Sequence, residues 1–95
     1  MTTAAPVANR FLVEWYRPNL TQELIDSVVS GLNKAIASMS AEGSPVRLVM
    51  TVGVPTDEVL YGVFAADSPD LVRAACERAG SVPERMSVDI DARTF

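Results

Sequence analysis

Seven apolar residues, Leu24, Ile25, Val28, Val29, Leu32, Ile36 and Met39, recur at three- and four-residue steps, and this period constrains the chain more than any other feature. The positions between them, Glu23, Asp26, Ser27, Ser30, Asn33, Lys34 and Ser38, are polar. The segment from Leu20 to Met39 therefore reads as a long helix with one apolar stripe, which needs another layer to cover it. Thr21 is the expected N-cap, and Glu23 and Asp26 lie near the positive end of the helix dipole. Gly43 suits a left-handed cap, and Pro45 cannot continue the helix. Gly31, inside the helix, costs about 1 kcal/mol against alanine; close packing against the sheet and no packing purpose at all are equally open readings of it.

The layer to be covered is supplied by strands. Residues Arg10 to Arg17, RFLVEWYR, are rich in aromatic and β-branched types. Phe11, Val13 and Trp15 fall on one face and Leu12, Glu14 and Tyr16 on the other. Val46 to Val54 and Val59 to Ala66 read as a hairpin around the turn Pro55-Thr56-Asp57-Glu58. Ser68-Pro69-Asp70 opens a second helix whose stripe is Leu71, Val72, Ala75, Cys76 and Ala79, and Gly80 ends it. Met86, Val88 and Ile90 then alternate with Ser87, Asp89 and Asp91 as a last strand. The order βαββαβ predicts an α+β, ferredoxin-like fold: a four-stranded antiparallel sheet with both helices on one face. The first strand then lies between the third and fourth, with the second at an edge. Residues 9–95 make one domain, and residues 1–8, small and containing Pro6, read as a flexible N-terminal tail.

Composition removes several function classes. The net charge is −4 and the eight basic residues are scattered, which disfavours a nucleic-acid or membrane-surface partner. The single cysteine, Cys76, has no internal disulfide partner, and the N-terminus lacks a signal-peptide pattern; a cytoplasmic protein is expected. Cys76 falls on the second helix's apolar stripe and no histidine exists to activate it, so it reads as a buried small hydrophobe. Trp15 and Phe11 read as packing residues, and no phosphate-loop, HExxH, CxxC or GxSxG motif occurs. No cofactor is expected.

A helix layer covers one sheet face only. The alternation assigns Leu12, Glu14, Tyr16, Arg47, Val49, Thr51, Leu60, Gly62, Phe64, Ser87, Asp89 and Asp91 to the other. That set is too apolar for water and too charged for a core, so it is expected to meet the same face of a second subunit. The result would be a homodimeric α+β barrel whose lumen holds a small ligand. The ligand-binding candidates are Glu14, Tyr16, Arg47, Thr51, Phe64 and Asp89. Glu14 is also the candidate catalytic base, with Tyr16 donating a hydrogen bond, and Glu14 and Asp89 are the metal candidates. The plainer reading of Glu14 is an ion pair with Arg47 or with an arginine of a second subunit.

With these elements placed, the chain resembles a family of small actinobacterial proteins of unknown function. The resemblance runs from about Phe11 to Ile90 and rests on FLVEWYRPNL, VLYGVFAADSPD and ACERAGSVPERM. It implies a ferredoxin-like fold and homodimers of the α+β-barrel type, and some relatives are described as nickel-binding. Glu14 matches the polar position of the family's first-strand motif. Three functions follow as expectations. The first is a homodimer binding a small, largely apolar molecule in the sheet-lined lumen. The second is a cofactor-free isomerase, cyclase or oxygenase using Glu14. The third is a metal-binding protein built on carboxylates.

Overall fold

The computed structural model describes residues 9–95; the tail expected at residues 1–8 lies outside the described residues. Six principal elements follow one another: β1 (Asn9–Tyr16), α1 (Gln22–Ala41), β2 (Val46–Val54), β3 (Val59–Ala66), α2 (Pro69–Arg78) and β4 (Arg85–Ser87). The four strands form one antiparallel sheet in the order β2-β3-β1-β4. This is the ferredoxin-like arrangement, with β2 and β4 as the edges.

Local chemistry accounts for the helix limits. The Thr21 hydroxyl oxygen accepts from the Leu24 N–H at 3.1 Å, satisfying one of the unpaired donors of the first turn of α1. Both helices end in the same paired hydrogen bonds. In α1, Gly43 N–H donates to Ser40 C=O and Ser44 N–H to Met39 C=O; in α2, Gly80 N–H donates to Glu77 C=O and Ser81 N–H to Cys76 C=O. These pairs require a left-handed residue, and Gly43 and Gly80 supply it at φ 85° and 72°.

The core lies between the helices and one sheet face. Val28, Leu32 and Met39 of α1, and Val72, Ala75 and Cys76 of α2, pack on Phe11, Val13, Trp15, Val46, Leu60, Phe64 and Ala66. Trp15 organises its centre: its ring meets Phe64 edge-on at 6.3 Å between centroids, and its Nε1–H donates to the Ser81 carbonyl at 2.7 Å. The indole thus fills volume without leaving a buried donor unpaired. The cross-strand partner of Val13 is Gly62, and a Cβ there would stand 2.9 Å from the Trp15 ring. Gly31 has a packing reason, and it is not the sheet. A Cβ at that position would come 3.3 Å from the Ala79 carbonyl, so the glycine lets α1 meet the end of α2 rather than the sheet.

Three expectations about the strands need correction. The pairings Phe11↔Phe64, Val13↔Gly62 and Trp15↔Leu60 put Phe64, Gly62 and Leu60 on the helix side, because directly paired residues share a face. β3 therefore presents Val59, Tyr61, Val63 and Ala65 to the other side. In β2 the register slips between Leu48 and Met50, and the extra residue, Val49, reverses the alternation beyond it. Met50, Val52 and Val54 take the open side and Thr51 the helix side. Finally, β4 stops at Ser87 instead of running through Ile90, and Asp89 adopts a left-handed φ of 55° beyond the strand end. Among the described residues no helix is long and apolar enough to cross a membrane.

Candidate functional site

The sheet face away from the helices is organised in rows, each set by one cross-strand register. The first row runs Arg10–Ala65–Arg47, the second Ser87–Leu12–Val63–Met50, the third Arg85–Glu14–Tyr61–Val52, and the fourth Tyr16–Val59–Val54. Successive rows are about 7 Å apart along the strands. Several of these side chains keep wide access to solvent: Tyr16 is 48% exposed, Met50 49% and Val52 45%. Val59, Val63 and Ala65 are buried on the inner strand beneath their neighbours. The face is an apolar floor with charged groups at its two ends.

Glu14 is the centre of the polar end. Its Oε1 accepts from the Tyr16 hydroxyl at 3.0 Å, and its Oε2 lies 3.6 Å from Arg85 Nε. Its side chain is only 14% exposed, while that of Arg85 is 67% exposed. Because its hydroxyl donates to this carboxylate, the Tyr16 phenol is pushed above its ordinary pKa and stays a donor. The backbone of the same stretch is pinned from behind. Glu84 N–H donates to the Glu14 carbonyl at 2.9 Å, Tyr16 N–H donates to Glu84 Oε2 at 3.1 Å, and Arg17 reaches Glu84 Oε1 at 2.8 Å. Partial burial works against the Glu84 carboxylate, but the Tyr16 amide and the Arg17 guanidinium outweigh it and hold its pKa below the ordinary value.

The six residues singled out from the sequence do not form one cluster. Glu14 and Tyr16 meet, and Arg47 shares their face two rows away on the edge strand. Phe64 is fully buried in the helix-side core. Thr51 lines an open groove between α1 and β2, with Ile25, Asp26, Val29 and Lys34. Asp89 sits outside the sheet, so it does not stand beside Glu14 on a strand. The ion-pair partner of Glu14 within the chain is Arg85 rather than Arg47. Arg85, Arg10, Met50, Val52 and Tyr61 were not singled out as site residues. Arg85 had a signal, since a basic residue just before an alternating strand can face a carboxylate on the neighbouring one; Met50 and Val52 are concealed by the bulge.

Nickel's preferred imidazole and accessible thiolate ligands are missing from this face. The sequence has no histidine. Glu14 accepts from Tyr16 and lies near Arg85, and among the described residues no three His, Cys, Asp or Glu side chains come together. Cys76 is fully buried in the core, and burial, with Glu77 adding to it, pushes its thiol up to about 12. At neutral pH it is an inert thiol.

The fold defines a class, the ferredoxin-like α+β domains with one bare sheet face. No family model and no curated protein matches the chain. Among solved structures, it is similar to the crystal structure of SCO4226 from Streptomyces coelicolor A3(2). The two share 16% sequence identity and superpose with a TM-score of 0.67 over 87% of this chain and 99% of that one. At that identity the likeness is one of fold.

Proposed function

We propose that this protein is a homodimeric binding module in which two bare sheet faces close on each other and hold a small, largely apolar molecule between them. One observation carries the reading: the helix layer is complete on one side of the sheet, yet the other side keeps Tyr16, Met50 and Val52 about half exposed. An apolar floor of this kind, in a domain too small to bury much of its own surface, is stabilised by a second layer. The Glu14–Tyr16–Arg85 cluster supplies the few fixed polar groups that orient a guest in a mostly apolar site. It supports orientation better than base catalysis, because both Glu14 oxygens already face donors.

Native mass spectrometry of the protein as purified tests this. The expected result is a dimer, with retained organic mass where the guest survives purification. A monomer at micromolar concentration sinks the proposal.

A further inference from the structure

The first row of the bare face leads to a sharper statement about the guest, one that rests on the lumen reading above. Arg10 and Arg47 flank Ala65 on the two strands either side of it, so two guanidinium-bearing residues share one row over the smallest side chain of the floor. Across the whole face the paired strand positions hold three basic residues, Arg10, Arg47 and Arg85, against one acid, Glu14. The chain as a whole is the reverse, with twelve acids against eight bases. A local cationic excess on an acidic molecule selects for anions at that spot while the rest of the surface repels them.

The charges are also unequal in their commitments. Arg85 lies against Glu14, and Arg10 interacts within the chain. Arg47 is exposed, and among the described residues no acid pairs with it. Next to this row comes the apolar row of Leu12, Val63 and Met50, and only then, about 14 Å from Arg47's row, the carboxylate of Glu14. The sequence of surfaces along the strands is therefore cation, hydrocarbon, ion pair.

We infer that the guest is an amphipathic monoanion, a carboxylate with an apolar body, whose head pairs with Arg47 and whose body lies over Leu12, Val63 and Met50. Arg47 is the specificity residue: a planar, permanently charged guanidinium takes a carboxylate in two parallel hydrogen bonds. In the Glu14 row Arg85 is balanced by the carboxylate, so the far end offers no second unpaired cation.

Equilibrium dialysis of the intact protein with octanoate and with 1-octanol, which share a body and differ in charge, tests this. Octanoate is expected to bind about tenfold more tightly than 1-octanol, the size of one charge-assisted hydrogen-bonding site. Arg47→Gln should bring the two within about threefold of each other by weakening octanoate alone, and Arg47→Lys should retain part of the preference. A charge on an edge strand can also serve only to discourage edge-to-edge pairing. In that case Arg47→Gln leaves the preference as it was, which overturns the inference. Equal binding of the two probes by the native protein overturns it as well, while a dimer in native mass spectrometry keeps the lumen reading alive. Failure of both probes on a monomer removes the lumen reading and this inference with it.

Discussion

The two faces of the sheet use similar residues for opposite ends. On the helix side, Val13, Trp15, Leu60 and Phe64 are fully buried, and the one indole donor has its acceptor. On the other side, Leu12, Tyr61, Met50 and Val52 belong to the same apolar and aromatic classes, yet they are partly open to solvent and alternate with Glu14, Arg85 and Arg47. The difference shows that hydrophobic content alone does not make a core. What the helix side has, and the bare side lacks among the described residues, is a second layer, and with it the desolvation that turns apolar area into stability.

Substitutions on the two faces should therefore separate stability from association. The largest loss is expected for Trp15→Ala, which removes the ring against Phe64, the cover over Gly62 and the bond to Ser81. About 3–5 kcal/mol of folding stability should go, read from urea unfolding at constant slope. Gly62→Ala comes next: its methyl would press the Trp15 ring at 2.9 Å, at a cost of about 1–3 kcal/mol. An unchanged urea midpoint in that variant would mean that the ring is free to move, contrary to its dense surroundings.

Acid should act at the seam between the faces. Glu84's pKa is held below the ordinary glutamate value of about 4.3 when folded, so its contribution is complete above that pH and is lost as the pH falls through the folded value. The carboxylate is 39% exposed, and solvent screening keeps its share below about 1 kcal/mol. Glu84→Gln should flatten that part of the acid limb in a series of urea midpoints. The smallest effect on folding belongs to Met50→Lys: within about 0.5 kcal/mol at concentrations where the chain is monomeric. The same change should weaken or abolish the proposed dimer in sedimentation velocity. If Met50→Lys instead unfolded the monomer, the contrast between the faces would fail.

How much of this was legible in the sequence depends on which strand is read. In β1 the alternation of Phe11, Val13 and Trp15 with Leu12, Glu14 and Tyr16 is sharpened by one carboxylate, and the structure has the same two faces. The helix ends were equally plain, because Thr21, Gly43, Pro69 and Gly80 each answer a definite backbone need. β3 carries apolar residues on both sides, VLYGVFAA, so its parity has no polar marker, and the alternation assigns Phe64, Leu60 and Gly62 to the wrong face. In β2 the bulge at Val49 is a property of pairing rather than of composition; it exchanges Thr51 for Met50 and Val52. The last strand shows the limit of alternation itself. Val88 and Ile90 keep the period, but the pairing ends at Ser87, and Asp89, one of the few residue types that tolerate a left-handed backbone, takes one just beyond it. The bare face is accordingly half visible in the sequence: Leu12, Glu14, Tyr16 and Arg47 lie where the alternation assigns them, and Tyr61, Val63, Met50 and Val52 do not.

The position of Trp15 has a practical consequence for spectroscopy. It is the chain's single tryptophan, and its indole points to the helix side while its strand neighbours Glu14 and Tyr16 point to the other. Its fluorescence is thus a clean optical reporter of unfolding. The two tyrosines of the bare face, Tyr16 and Tyr61, are the only tyrosines in the chain. Near-ultraviolet tyrosine signals should therefore follow events on that face alone, so that one sample can be watched in two colours, one for each side of a single sheet.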